Sequence, residues 1–137
     1  MKLWLIMKIT LNKGQHRFLT SQSKIVCGLS GRAGGKTFAG ALSCIYNMIR
    51  FPNSIGMVGA ANPAMLSSVC TPAIINLLKE AEVPFTQGRR PDWDCPEQKS
   101  FTNTISIPNG SIILLRSFHE QGADRNIRGL NLDYFWL

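Results

Sequence analysis

Apolar positions along the chain change period several times, and each change marks an element. Residues 24–29 form a short apolar run around Ile25, Val26, Cys27 and Leu29, which predicts a buried strand. Residues 37–50 then place Phe38, Ala39, Ala41, Leu42, Ile45, Met48 and Ile49 at mixed three- and four-residue spacing, the signature of a helix packed on one face. Pro52 and Asn53 end it. Ahead of both, residues 12–21 are polar with Phe18 and Leu19 as anchors, which suits a short turn of helix.

Residues 54–61 predict a second strand, with Ile55, Met57 and Val58 as its larger side chains. Asn62-Pro63 then reads as an N-cap followed by proline at the first helical position. Thr71-Pro72 repeats the pairing, so residues 63–81 predict two short helices or one kinked helix, closed by Val83-Pro84. Residues 87–99 are polar, with two prolines, and predict a loop. Residues 101–107 and 111–118 alternate in β-rich fashion around Pro108-Asn109-Gly110, a hairpin signal. Residues 119–131 are polar, and the closing run Tyr134-Phe135-Trp136-Leu137 suits a central strand. The order of strands and helices predicts an α/β domain with a largely parallel sheet flanked by helices, plus a β-hairpin.

Bulk properties narrow this only a little. A chain of 137 residues is one domain, long enough to bury a core. With 45% hydrophobic and 17% charged residues, composition argues against disorder. The formal net charge of +7 suits a polyanionic partner, nucleotide or nucleic acid. Cys27, Cys44, Cys70 and Cys95 form no Cys-x-x-Cys pair, so neither a metal site nor a disulfide framework is indicated, and a reducing cytoplasm fits. The opening residues 1–7 are too short for a signal-peptide core or a membrane span, and read as an edge strand or an extra N-terminal start.

The candidate chemistry lies between the first predicted strand and its helix, at Gly31-Arg32-Ala33-Gly34-Gly35-Lys36-Thr37. A glycine-rich turn entering a helix start gathers backbone N–H groups around an anion, and the helix dipole adds positive potential. Lys36 is placed to reach the β- and γ-phosphates of a nucleotide, and the Thr37 hydroxyl to hold Mg²⁺. Ser30 stands where the full phosphate-loop pattern has its first glycine, with Gly31 beside it. The site predicted from the residues is therefore a nucleoside-triphosphate·Mg²⁺ cradle made by Ser30, Gly31, Arg32, Ala33, Gly34, Gly35, Lys36 and Thr37. The alternative is a glycine-rich connection with an exposed lysine.

Four local patterns together resemble the N-terminal ATPase region of phage large terminase subunits, the DNA-packaging motors of tailed viruses. Gln15 with Phe18-Leu19 is similar to that family's adenine-reading segment, and residues 31–37 to its arginine-containing Walker A loop. The Asn109-Gly110-Ser111 turn is similar to its hairpin. Ile127-Arg128-Gly129-Leu130, Asp133 and the closing apolar run are similar to the approach to Walker B. The likeness implies a P-loop NTPase fold of the RecA/ASCE kind. It implies that Gln15 contacts adenine and that Arg32 acts as a finger on the γ-phosphate, a role worth ~10³–10⁵ in rate in phosphoryl transfer. Arg125 and Arg128 are further candidates for nucleotide or DNA contact, a solvated basic loop being the other reading.

The resemblance also implies partners: double-stranded DNA, a small terminase subunit and a portal protein, in an oligomeric ring within the host cytoplasm, with no membrane. In that family an Asp-Glu pair follows the Walker B strand, where this sequence ends at Leu137, and Asp133 comes four residues too early to replace it. The expectation is an incomplete ATPase domain, without the C-terminal nuclease domain, that binds ATP and turns it over weakly or not at all. General-base assistance, which supplies ~10²–10⁴ in rate, is what such a segment lacks. A helicase-like P-loop ATPase and a non-catalytic nucleic-acid-binding fragment are the alternatives.

Overall fold

A computed structural model describes residues 9–29, 31, 35–88, 103–118 and 132–137. The elements in chain order are α1 (Lys13–Thr20), α2 (Lys36–Arg50), β1 (Ile55–Ala60), α3 (Pro63–Met65), a π-helical turn (Leu66–Cys70), α4 (Thr71–Glu80), β2 (Thr86–Gln87), β3 (Thr104–Ser106), β4 (Ile112–Ser117) and β5 (Tyr134–Trp136). The strands form one sheet in the order β2-β3-β4-β1-β5. β1 runs parallel to both β4 and β5, while β2–β3 and β3–β4 are antiparallel. The fold is thus α/β with a mixed open sheet, not the largely parallel one expected. The antiparallel half is the hairpin extended by β2, which forms at the start of the expected 87–99 loop.

α2 and α4 cover one face of the sheet. Their inward residues Cys44, Ile45, Met48, Ile74, Leu77 and Leu78 meet Val58, Ile105, Ile107, Ile113 and Leu115 in a single core. Fully burying one such aliphatic side chain contributes about 1.5–3 kcal/mol. On the opposite face Met57, Ile112 and Leu114 are buried with Ile55 and Leu132 against them. β1 and β4 are therefore apolar on both faces, as strands in the middle of a parallel sheet are.

Local chemistry accounts for the helix between β1 and β2. The Asn62 side chain accepts from Met65 N–H at 2.7 Å, and Pro63 sits at the first helical position. Where two short helices or one kinked helix were expected around Thr71-Pro72, a π turn joins α3 to α4. Proline has no N–H for the carbonyl four residues back, and its ring crowds that carbonyl. The backbone widens instead, so that Thr71 N–H reaches Leu66 O, and α4 then continues in register.

The hairpin forms where expected. Gly110 N–H bonds Ile107 O at 3.1 Å, Ile107 N–H bonds Ser111 O at 3.2 Å, and Gly110 takes φ +88°. That is a type I turn with proline at its second position and glycine in the left-handed bulge position.

Two further expectations fail. Residues 24–29 form no strand: Ile25 is 80% and Leu29 92% exposed. An apolar run of this length is a strand only when a neighbour pairs with it, and none of the described strands does. The closing run 134–137 forms an edge strand rather than a central one, with Phe135 57% exposed and the outer edge of β5 unpaired among the described residues.

Candidate functional site

The site follows from the way α2 lies on the sheet. Near its amino end, Gly40 receives the indole of Trp136, so closely that a Cβ there would stand 2.1 Å from Trp136 Cε2. Trp136 ends β5, so the amino terminus of α2 overlies the carboxyl ends of the parallel strands β4, β1 and β5. In open α/β sheets ligands bind at that edge.

Gly35 is the N-cap of α2, in the left-handed region at φ +74°, and has no side chain with which to cap. Its carbonyl accepts the first helical bond, from Ala39 N–H at 3.0 Å. The first-turn N–H groups point out of the helix end with no intrahelical carbonyl to reach. Lys36 and Thr37 follow in the first turn, Lys36 exposed and Thr37 half-buried, and that turn carries no acidic residue. A cation at a helix amino terminus opposes the macrodipole by roughly 0.3–1 kcal/mol. An anion seated there reverses the sign of that term.

Gln15 meets this turn from α1. Its Nε2 donates to Gly35 O at 3.2 Å. Its Oε1 accepts from Asn12 N–H at 3.0 Å, while Asn12 Oδ1 accepts from Gln15 N–H at 2.9 Å. The last two bonds are a reciprocal capping box that starts α1. The structure thus brings together Gln15, Gly35, Lys36 and Thr37. Gly31 is exposed. Ser30, Arg32, Ala33 and Gly34 lie outside the described residues, as do Arg125, Arg128 and Cys95.

The carbonyl end of α2 is built differently. Asn109 Nδ2 donates to Met48 O at 2.8 Å, and Asn109 Oδ1 accepts from Ser111 N–H at 3.0 Å. The Ser111 hydroxyl lies 2.9 Å from Met48 O and 2.8 Å from Phe51 O, and accepts from the Ser54 hydroxyl at 3.2 Å. The Asn-Gly-Ser turn therefore caps a helix distant from it in sequence, and its motif has a structural cause. A cleft of about 370 Å³ opens at this end, lined by Asn47, Phe51, Asn53, Ser54, Asp133 and Tyr134. Its polar groups are largely taken up internally, Asn47 Nδ2 by Ser43 O and Ser54 Oγ by Ser111.

Asp133 belongs to the same end. Its Oδ2 accepts from Ile55 N–H at 2.8 Å, pinning the start of β5 to the start of β1. It stands at the opposite edge of the sheet from Lys36. Beside it the Tyr134 hydroxyl is buried, with no hydrogen-bond partner among the described residues. Burial raises its pKa, and the neighbouring Cys44 adds to the rise.

One group that the sequence did not single out is Arg116, half-buried at the carboxyl end of β4, with Nη1 donating to Leu115 O at 2.9 Å. Burial pulls its pKa below the usual arginine value. The available signal was its position as the one charged residue ending an alternating strand. Among the described residues, no group of three or more His, Cys, Asp or Glu is arranged to hold a metal ion, and no helix is long and apolar enough to cross a membrane. No family profile, curated protein or solved structure matches the chain.

Proposed function

We propose that this chain is a nucleotide-binding segment of P-loop type that holds the triphosphate of ATP at the amino end of α2. The observation that carries the proposal is the placement of Gly35-Lys36-Thr37 over the carboxyl edge of β4, β1 and β5. The helix start has a glycine cap, a lysine and no acid in its first turn, so its donors and its charge are both complemented by a polyphosphate. The net charge of +7 acts in the same direction over longer range.

The roles follow from the chemistry of each group. The backbone N–H groups of the first turn donate to phosphate oxygens. The Lys36 ammonium neutralises the outer phosphates, and the Thr37 hydroxyl is the protein's ligand to Mg²⁺. Mg²⁺ held there would supply charge neutralisation for the phosphates. Magnesium of this kind keeps most of its waters and leans on the phosphates, so it needs no preformed cluster of carboxylates. Arg32 carries the proposed finger role toward the γ-phosphate.

Among the described residues, Asp133 is bonded at the amino edge of the sheet, while Glu80 ends α4 and Glu82 follows it, just before β2 starts at that same edge. None is placed to orient an attacking water near Lys36. By the four-pattern resemblance, we further propose that the segment serves a terminase-type motor. In that setting ATP turnover drives double-stranded DNA into a procapsid with a small subunit and a portal as partners.

The test is equilibrium titration of the folded chain with MgATP. Saturable binding is expected, with Lys36→Ala weakening it by at least about 100-fold, because the ammonium's charge-assisted bonds to phosphate are lost. Binding that is indifferent to Lys36→Ala contradicts the proposal and favours non-catalytic contact with nucleic-acid backbone.

A further inference from the structure

Gln15 uses its amide in a way that base recognition does not require. The partners dictate its orientation: Oε1 must face the Asn12 N–H, and Nε2 must face the Gly35 carbonyl. One side chain therefore ties the start of α1 to the cap of α2. The Gly35 carbonyl receives two donors, Ala39 N–H at 3.0 Å along the helix and Gln15 Nε2 at 3.2 Å from the side.

The carbonyl of Gly35 and the N–H of Lys36 belong to one planar trans peptide and point in opposite directions. Fixing the carbonyl along the helix therefore fixes the Lys36 N–H outward from the helix end. Glycine at 35 is part of the same device. Its φ of +74° lies where side chains are strained, and a Cβ there would meet Gln15 Nε2 at 2.2 Å.

We propose that Gln15 is a positioning residue for the phosphate site: through Nε2 it locks the Gly35-Lys36 peptide so that the helix start is preorganised for a triphosphate. This rests on the nucleotide reading above. Its consequence is specific. A residue that reads the base changes the preference between nucleotides. A residue that holds the peptide changes affinity for every polyphosphate by the same factor.

The experiment compares wild type, Gln15→Met and Gln15→Glu by titration with MgATP, MgGTP and inorganic tripolyphosphate, with amide hydrogen exchange at Ala39 measured in the absence of ligand. Gln15→Met removes the donor without adding charge. Gln15→Glu removes the donor but keeps an oxygen for Asn12 N–H, so α1 retains its cap. Both variants are expected to weaken all three ligands by about tenfold, the size of one well-made hydrogen bond, with the ATP-to-GTP ratio unchanged. Both are expected to speed Ala39 exchange about three- to tenfold.

A loss confined to ATP overturns the proposal and makes Gln15 a base reader. A loss with Gln15→Glu alone overturns it in favour of charge repulsion. Unchanged exchange at Ala39 overturns it outright. If wild type binds none of the three ligands, the nucleotide reading itself fails, and the exchange measurement still decides whether Gln15 locks the turn.

Discussion

The two ends of α2 are built on opposite plans. The carbonyl end is closed by side chains from a distant hairpin, with Asn109 and Ser111 converging on Met48 O and Ser54 joining them. The amino end has a glycine cap, a lysine, no acid in its first turn, and a side-chain bond from Gln15 to Gly35 O. A helix needs both ends satisfied to be stable. Here the carbonyl end is satisfied by side chains of the protein, and the amino end is where we propose that a ligand's phosphates bind. The carbonyl end should therefore govern stability, and the amino end should govern binding.

The largest effect expected concerns Cys44, in the span between the ends. Burial, with the Cys70 thiol a smaller contribution, pushes its pKa up to about 12. The native state keeps the thiol proton where the unfolded chain has lost it, so stability falls as pH rises from about 9 toward 12. The slope is about 1.4 kcal/mol per pH unit, or about 2–3 kcal/mol lost by pH 11. Below pH 9 this group contributes no pH dependence. Urea unfolding at pH 8, 9, 10 and 11 checks it, and Cys44→Ala is expected to flatten the slope. An unchanged slope in that variant shifts the cause to Tyr134, whose pKa burial also raises.

Next in size is Ser111→Ala, which withdraws a buried hydroxyl from the carbonyls of Met48 and Phe51. The expected loss is about 1–3 kcal/mol. MgATP affinity measured on the folded fraction should stay within about twofold, because nothing at the amino end has moved. A large fall in affinity with full folding breaks the division between the ends.

Gly35→Ala should cost about 1–2 kcal/mol, from the left-handed backbone and the collision with Gln15. Its effect on binding should be larger than its effect on stability, since it disturbs the peptide that carries the Lys36 N–H. The smallest change in stability is expected from Lys36→Ala, within about 0.5 kcal/mol, as for other exposed positions. The same substitution should have the greatest effect on nucleotide binding. Across the three substitutions, stability effects fall as binding effects rise, and thermal or chemical unfolding beside titration reads both.

What the sequence made legible follows the range of the interactions involved. The three- and four-residue spacing from Phe38 to Ile49 is local, and α2 forms where it predicts. Asn62-Pro63 and Pro108-Asn109-Gly110 carry their own backbone chemistry, and both turn as expected. Residues 24–29 and 134–137 look alike as apolar runs, yet the first pairs with none of the described strands and the second is an edge strand among them. Strand pairing depends on neighbours far away in sequence, and composition does not name them. At the candidate site, Gly35, Lys36 and Thr37 were readable as a motif. The bond from Gln15 Nε2 to Gly35 O was not, because it joins two separately predicted helices through a side-chain torsion. Nor was the purpose of the Asn-Gly-Ser turn, whose acceptors lie on α2.

The most direct test of the division is a residue-by-residue NMR titration of the folded chain with MgATP. Saturable shifts are expected at the Gly35, Lys36 and Thr37 amides, with Asn47, Asn53 and Ser111 at the other end nearly unmoved. Shifts centred on the carbonyl end, or no saturable change at residues 35–37, contradict that division.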